Sequence, residues 1–325
     1  MLSKIKKHIM IPLLFLCCSL VFVQCDKSDD VAVKPSLDET LSSSSDMSIL
    51  KAAIAKAKLE TFTKGPGPFT IFAPTDAAFT AAGITSGSIA AMDSITLTAL
   101  TLNHFQSSAA GVYTGRTSYE IPDGPNAPMT SIAGYASYSY KDKVNNKIFV
   151  SGALITEKDI MCSNGIIHKI DKVLVPATTS IITQLNANPN YSLMVQAITK
   201  AGLTSVFSPA TTAPITVFAI PNSVMTANGY DAVTIAALAG AGLTTLTNIL
   251  RYHVIGSRNF STDLKAGTLK TLFVNAGAAT YVTVSLGTGV NIKGAANPAA
   301  FQITPVDMAA TNGVIQNITG MLKPL

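Results

Sequence analysis

The chain has 325 residues, 48% of them hydrophobic and only 13% charged, with no tryptophan. That is length enough for two ordinary domains, with cores left to Ala, Val, Ile, Leu and Phe. The formal charge of +5 falls to +2 once Lys4, Lys6 and Lys7 are set aside, and no basic run or stripe remains, which excludes a nucleic-acid partner and a membrane contact built on surface charge.

Those three lysines open residues 1–24, which continue as an apolar run from Ile9 to Val23. This is the charged start and short apolar stretch of an export signal, too short for a comfortable membrane span. The run ends at Gln24-Cys25, followed at once by Asp26-Lys27-Ser28-Asp29-Asp30. The segment resembles a bacterial lipoprotein signal, with Gln24 where that pattern has a small residue, and the acid-rich stretch resembles the surface-export tails of Bacteroidetes lipoproteins. The resemblance implies lipidation at Cys25, an outer-membrane anchor and a protein facing the cell exterior, its only membrane contact being the lipid. Cys17 and Cys18 lie within the signal and Cys25 is taken by the lipid, so Cys162 is left alone. It reads as a small buried hydrophobe with no disulfide partner.

Residues 25–45, with Pro35 and four consecutive serines at 42–45, read as an acidic, Ser-rich tether. Folded sequence is expected from Asp46. Met47, Leu50, Ile54 and Ala57 fall at helical spacing behind a cap at Ser45 or Asp46, and Gly65-Pro66-Gly67-Pro68 ends that helix before a strand at 69–73.

The chain then repeats. TIFAPTD at 70–76 returns as TVFAIPN at 216–222, His104 has a counterpart in His253, and Asn164-Gly165-Ile166-Ile167 returns as Asn312-Gly313-Val314-Ile315. The order is kept at a nearly constant offset, which is the mark of a duplicated domain. In each copy a strand meets a proline that stops ladder pairing; in the first, Thr75 or Asp76 follows to cap a helix. The Asn-Gly pairs read as turns that tolerate positive φ, so each copy closes in β structure. The expectation is an α+β fold, with helices packed on a β-sandwich-like core, over 46–176 and again over 177–325.

At these residues the chain resembles the fasciclin family. The first copy carries the family's opening motif as TIFAPTDAAF (70–79) and its closing motif as NGIIHKIDKVLVP (164–176); the second carries TVFAIPNSVM (216–225) and NGVIQNITGMLKPL (312–325). The resemblance implies two wedge-shaped α+β domains used in extracellular adhesion, without family-wide catalytic residues.

Candidate functional residues are few. No Gly-x-Ser-x-Gly elbow, phosphate-binding glycine loop or His-Glu-x-x-His stretch occurs, which points away from an enzyme and from a cofactor. Gln316 stands in the second copy where the first has His168; an amide replaces a hydrogen-bonding imidazole but not a metal ligand, so His104, His168 and His253 read as hydrogen-bonding residues without metal. Tyr252-His253 matches a Tyr-His motif that animal fasciclin proteins use in adhesion, His104 being its counterpart in the first copy. Asp159 and Ile160 lie in a stretch similar to a second adhesive segment of those proteins. Tyr138 and Tyr140, two apart on one strand face, offer two phenol rings to a sugar or a partner chain. The composite expectation is a non-enzymatic surface adhesion or ligand-binding module for an extracellular protein, with a glycan-binding accessory of polysaccharide uptake or an envelope spacer as alternatives.

Overall fold

A computed structural model of the chain describes residues 33–107, 115–124, 126–208 and 214–325. The export signal and Cys25 lie outside the described residues, as does the tether up to residue 32.

The first domain begins earlier than the sequence suggested. Ser36 and Glu39 form a reciprocal capping box at the start of helix α1 (Leu37–Ser43), which buries Leu37 and Leu41 completely or nearly so. From Ser36 onward the expected tether is therefore corrected: two leucines one helical turn apart, behind a capping box, suffice to fold a short serine-rich segment onto a core. Helices α2 (Ser48–Lys56) and α3 (Glu60–Lys64) follow, then strand β1 (Phe69–Pro74) and helices α4 (Asp76–Ala81), α5 (Ser86–Ala91) and α6 (Ser94–Leu102). Neither Ser45 nor Asp46 caps α2. Its first free amides, Ser48 N and Ile49 N, bond the carboxylate of Asp76 at 3.2 and 2.8 Å, while Thr75 caps Asp76's own helix through Ala78 N. One Thr-Asp pair thus satisfies two helix starts.

Strands β2 (Phe105–Ser107), β3 (Ala127–Ser131), β4 (Ala136–Asp142), β5 (Lys147–Val150), β6 (Ala153–Cys162) and β7 (Gly165–Ile170) complete the domain. Strands β1 to β7 close in that order into a barrel, β1 running parallel to β7 with Phe69 opposite Gly165 and Phe72 opposite His168. The opening and closing motifs are thus neighbouring strands. The sandwich-like core takes the form of a barrel because this parallel pair joins the first strand to the last.

Every residue of β1 is buried because it has apolar neighbours on both faces. Ile71 packs with Leu37, Leu50, Phe79 and Leu97 between helices and barrel, whereas Phe72 packs inside the barrel with Met129, Val150 and Ile170. Alternate residues of one strand therefore serve two cores.

The second domain repeats the plan with α7 (Ile181–Ala187), α8 (Ser192–Lys200), β8 (Ile215–Ala219), α9 (Asn222–Ala227), α10 (Ala232–Ala237) and α11 (Gly240–Tyr252). Its remaining strands are β9 (Val254–Ile255), β10 (Gly267–Asn275), β11 (Ala278–Leu286), β12 (Val290–Lys293), β13 (Phe301–Ala310) and β14 (Gly313–Ile318), closed into a second barrel by the parallel β8–β14 pair.

The Asn164-Gly165 turn has a different purpose from the one expected. Gly165 does not adopt positive φ; a Cβ there would press into the carbonyl of Phe69 and lie 2.9 Å from Leu37 Cδ1, so glycine is required by close approach. Asn164 receives the N–H of Leu37 at 2.8 Å and donates to the carbonyls of Thr63 and Gly65, each at 2.8 Å. Asn312 likewise receives Ile181 N at 2.9 Å and donates to Phe207 O at 3.0 Å. Each Asn is a buried knot that ties the first helix of its domain to the last hairpin.

Candidate functional site

His104 and His253 end α6 and α11 in equivalent places, and both are fully buried. The Leu174 amide donates to His104 Nε2 at 2.9 Å, so that nitrogen carries the lone pair, and Nδ1 donates to Leu100 O at 2.8 Å. His253 repeats this with Leu322 N at 2.9 Å and Ile249 O at 2.8 Å. Each ring is thus a neutral staple between a helix end and the extended segment by which the chain leaves the barrel. Burial pushes both imidazoles down to about 4, against the small opposing effect of the helix carbonyl.

Tyr252 is also fully buried. Its hydroxyl donates to Tyr281 O at 2.6 Å and accepts from Ala295 N at 2.9 Å, and its ring meets the edge of Phe273. As contact residues, His104, Tyr252 and His253 are corrected: their polar atoms are paired inside the protein and no part of them reaches a partner.

Asp159 sits at a bulge of β6 with φ 62°. Its carboxylate takes the amide of Ser118 at 2.6 Å and the Ser118 hydroxyl, and its own N–H reaches His168 Nδ1 at 3.2 Å. His168 Nε2 donates to Arg116 O at 2.8 Å, and burial lowers its pKa. Serine, histidine and aspartate meet here, but the serine hydroxyl points to the carboxylate and both imidazole nitrogens face main chain, so no nucleophile is activated. The second domain builds the same bulge from Asp307 (φ 43°), with Ser261 N and Oγ each at 2.6 Å and Gln316 Nε2 at 2.7 Å. Ile160 is half-buried against the helical core. Among the described residues no group of three or more His, Cys, Asp or Glu is placed to hold a metal ion.

Tyr138 and Tyr140 face the second domain. The Arg258 guanidinium lies 4.2 Å from the centre of the Tyr138 ring, Phe260 packs beside it, and Lys265 Nζ is 5.2 Å above Tyr140. A sugar platform is thereby corrected to a contact between domains. Around it, Arg258 Nη1 donates to Ala310 O and Gly313 O, its carbonyl accepts Asn126 Nδ2 at 2.7 Å, and Lys172 Nζ bonds Asp307 at 2.7 Å. Gly152 is packed so closely on Asp307 that a Cβ would sit 2.8 Å from the carboxylate. Residues 34–325 accordingly form one compact unit. The sequence reading missed Arg258; only its burial and its place over Tyr138 distinguish it.

A family model described as the fasciclin domain matches residues 45–176 and 189–324. The chain belongs to the fasciclin domain family. It is 29% identical over 161 residues to transforming growth factor-beta-induced protein ig-h3 of Sus scrofa, a match covering 49% of this chain and 22% of that protein. It is 31% identical over 152 residues to periostin of Homo sapiens, covering 46% and 17%, and 33% identical over 133 residues to protein sll1483 of Synechocystis sp., covering 40% and 67%. The chain thus spans about a fifth of the length of these two animal fasciclin-domain proteins. A solved domain pair from the insect cell adhesion molecule Fasciclin I is 18% identical, covering 84% of this chain and 95% of that one, with a TM-score of 0.39. Helix α1 precedes the first matched span, and its sequence signal is a repeat: Ser36-Leu37 and Leu41 recur as Ser180-Ile181 and Leu185.

Proposed function

We propose that this chain is a non-enzymatic adhesion or ligand-binding module, displayed outside the cell through a lipid on Cys25. Family membership over both halves carries the reading: fasciclin domains occupy 45–176 and 189–324, and both lie in one compact unit. The charged, then apolar, then acid-rich order of residues 1–30 supports export and anchoring. Among the described residues no helix is long and apolar enough to cross a membrane, and the anchor is assigned to the N-terminal segment. Extracellular proteins are the favoured partners. The glycan reading rested on Tyr138 and Tyr140, whose faces are taken by Arg258 and Lys265.

Beads coated with the protein are expected to adhere to immobilised extracellular-matrix proteins and not to a glycan array. Binding to glycans alone would replace this reading with the accessory role, and binding to neither with a spacer. Cys25→Ser is expected to shift the chain from the membrane to the soluble fraction or to leave its precursor uncleaved; unchanged fractionation would remove the anchor from the proposal.

A further inference from the structure

In both domains the chain leaves the barrel as an extended segment, 172–176 in the first and 320–324 in the second, and the buried imidazole fixes which edge of it faces inward. Leu174 gives its N–H to His104 and receives the Asn103 amide on its carbonyl at 2.8 Å. Successive residues of an extended chain direct their peptide groups to opposite sides, so the N–H and C=O of Val173 and Val175 face away from the core. Leu322 on His253 orients the second segment in the same way.

The second domain covers that outer edge with its own chain. In the loop 294–300 between β12 and β13, Ala296 donates to Lys323 O at 3.0 Å. Asn297 accepts Lys323 N on Oδ1 at 2.8 Å and donates Nδ2 to Met321 O at 3.0 Å. The loop is a turn, closed by Asn297 N on Gly294 O at 3.1 Å, that lies against 320–324, and one buried asparagine satisfies two main-chain groups.

The first domain has only Ser151 and Gly152 between β5 and β6. Among the described residues no hydrogen bond takes the main-chain groups of Val173 or Val175, the counterparts of Met321 and Lys323. Beside them is a cleft of about 630 Å³ between the domains, lined by Ala82, Ala136 and Ser151 on one side and Thr179, Met308 and Ala309 on the other. Its size and place are those of a ligand site. Where the second domain has Tyr252 and Tyr281, this cleft has the smaller Asn103 and Ala136. The Lys172–Asp307 pair at its wall is bonded at 2.7 Å, and the segment 294–298 that covers the second domain's edge has no charged side chain.

We infer that this cleft binds an uncharged peptide turn of a partner, docked on the 172–176 edge as the loop 294–300 is docked on 320–324. Small residues lie along the cleft, and an asparagine side chain bonds the Val175 N–H and the Val173 carbonyl. The inference does not depend on the adhesion reading, since it rests on the difference between the two domains.

The probe is acetyl-Gly-Ala-Ala-Asn-Pro-amide, which reproduces 294–298, titrated into the full chain with backbone amide shifts as readout. Saturable changes are expected at 172–179, with the Val175 amide gaining protection from exchange. A peptide with leucine in place of asparagine is expected to bind about tenfold or more weakly, having lost two hydrogen bonds. Ala136→Tyr narrows the cleft at a lining position and is expected to abolish binding; if that variant fails to fold, the two peptides still decide on the unaltered protein. Equal binding of both peptides, changes confined to other surfaces, or no saturation would overturn the inference. So would a concentration-dependent dimer in sedimentation whose shifts fall on 172–176, because the edge would then belong to a second copy.

Discussion

Acidification should unfold this protein largely through two histidines. In the unfolded chain His104 and His253 take up a proton near pH 6.5, whereas in the folded chain each resists until about pH 4, because its ring is buried and Nε2 already holds a main-chain N–H. The folded value is depressed, so the stability each neutral ring contributes is fully present above pH 6.5 and is lost as the pH falls toward 4. The gap corresponds to about 3 kcal/mol per histidine, or about 6 kcal/mol together, a large share of an ordinary domain's stability. His104→Gln and His253→Gln offer an amide that donates to the helix carbonyl and accepts from the exit segment without titrating. The molecule already contains such an exchange: Gln316 stands where the first domain has His168 and donates to Asn259 O at 3.1 Å, as His168 does to Arg116 O. Urea unfolding between pH 7.5 and 4.5 should show each single variant losing a clear part of this acid sensitivity and the double variant most of it, the remainder coming from His168, whose buried ring is also held below its ordinary value. Asp263 opposes the trend in all these proteins, so it cancels in the comparison. A double variant with the same pH slope as the unaltered chain would refute the reasoning.

Burial raises Asp263 to about 6, aided by nearby Asp307; its charge is a cost above that pH and a diminishing one below it. Asp263→Asn keeps the acceptor for Phe260 N and should stabilise the protein by about 1–3 kcal/mol at pH 7.5 and by little at pH 4, measured by urea midpoint; a loss at pH 7.5 would contradict this. Leu37→Ala and Leu41→Ala should each cost about 2–5 kcal/mol, whereas a flexible tether would make both silent in the same assay. Calorimetry of the unaltered chain should give one transition, and Arg258→Ala with Lys172→Ala should separate it into two; two transitions before any substitution would show that the clasp does not couple the domains.

The duplication, the strand–proline–helix junctions and the α+β class were legible because they depend on patterns within a few residues, repeated at one offset. The roles of His104 and His253 were half legible: apolar flanks indicated burial, but their partners, Leu174 and Leu322, lie about 70 residues away in sequence. Helix α1 was misread because four serines outweighed two leucines, although the Ser-Leu…Leu spacing recurs in the second domain. Asp76 looked like the cap of its own helix, and nothing local says that its carboxylate turns to α2.

The sequence by itself determined the strand–proline–helix junctions, the closing β structure and that the unit occurs twice, since alternation, proline and glycine act on the chain locally. Only the tertiary structure decided what the side chains do. Tyr138 and Tyr140 share a strand face by periodicity, yet whether that face meets water, a sugar or Arg258 depends on a residue 120 positions from Tyr138. Val173 and Val175 look like the end of a motif, and their open edge exists only because His104 turns Leu174 inward while the first domain lacks the loop that covers the second. Hydrogen bonds and ring contacts between distant segments follow from how the chain closes, and no spacing along it records them.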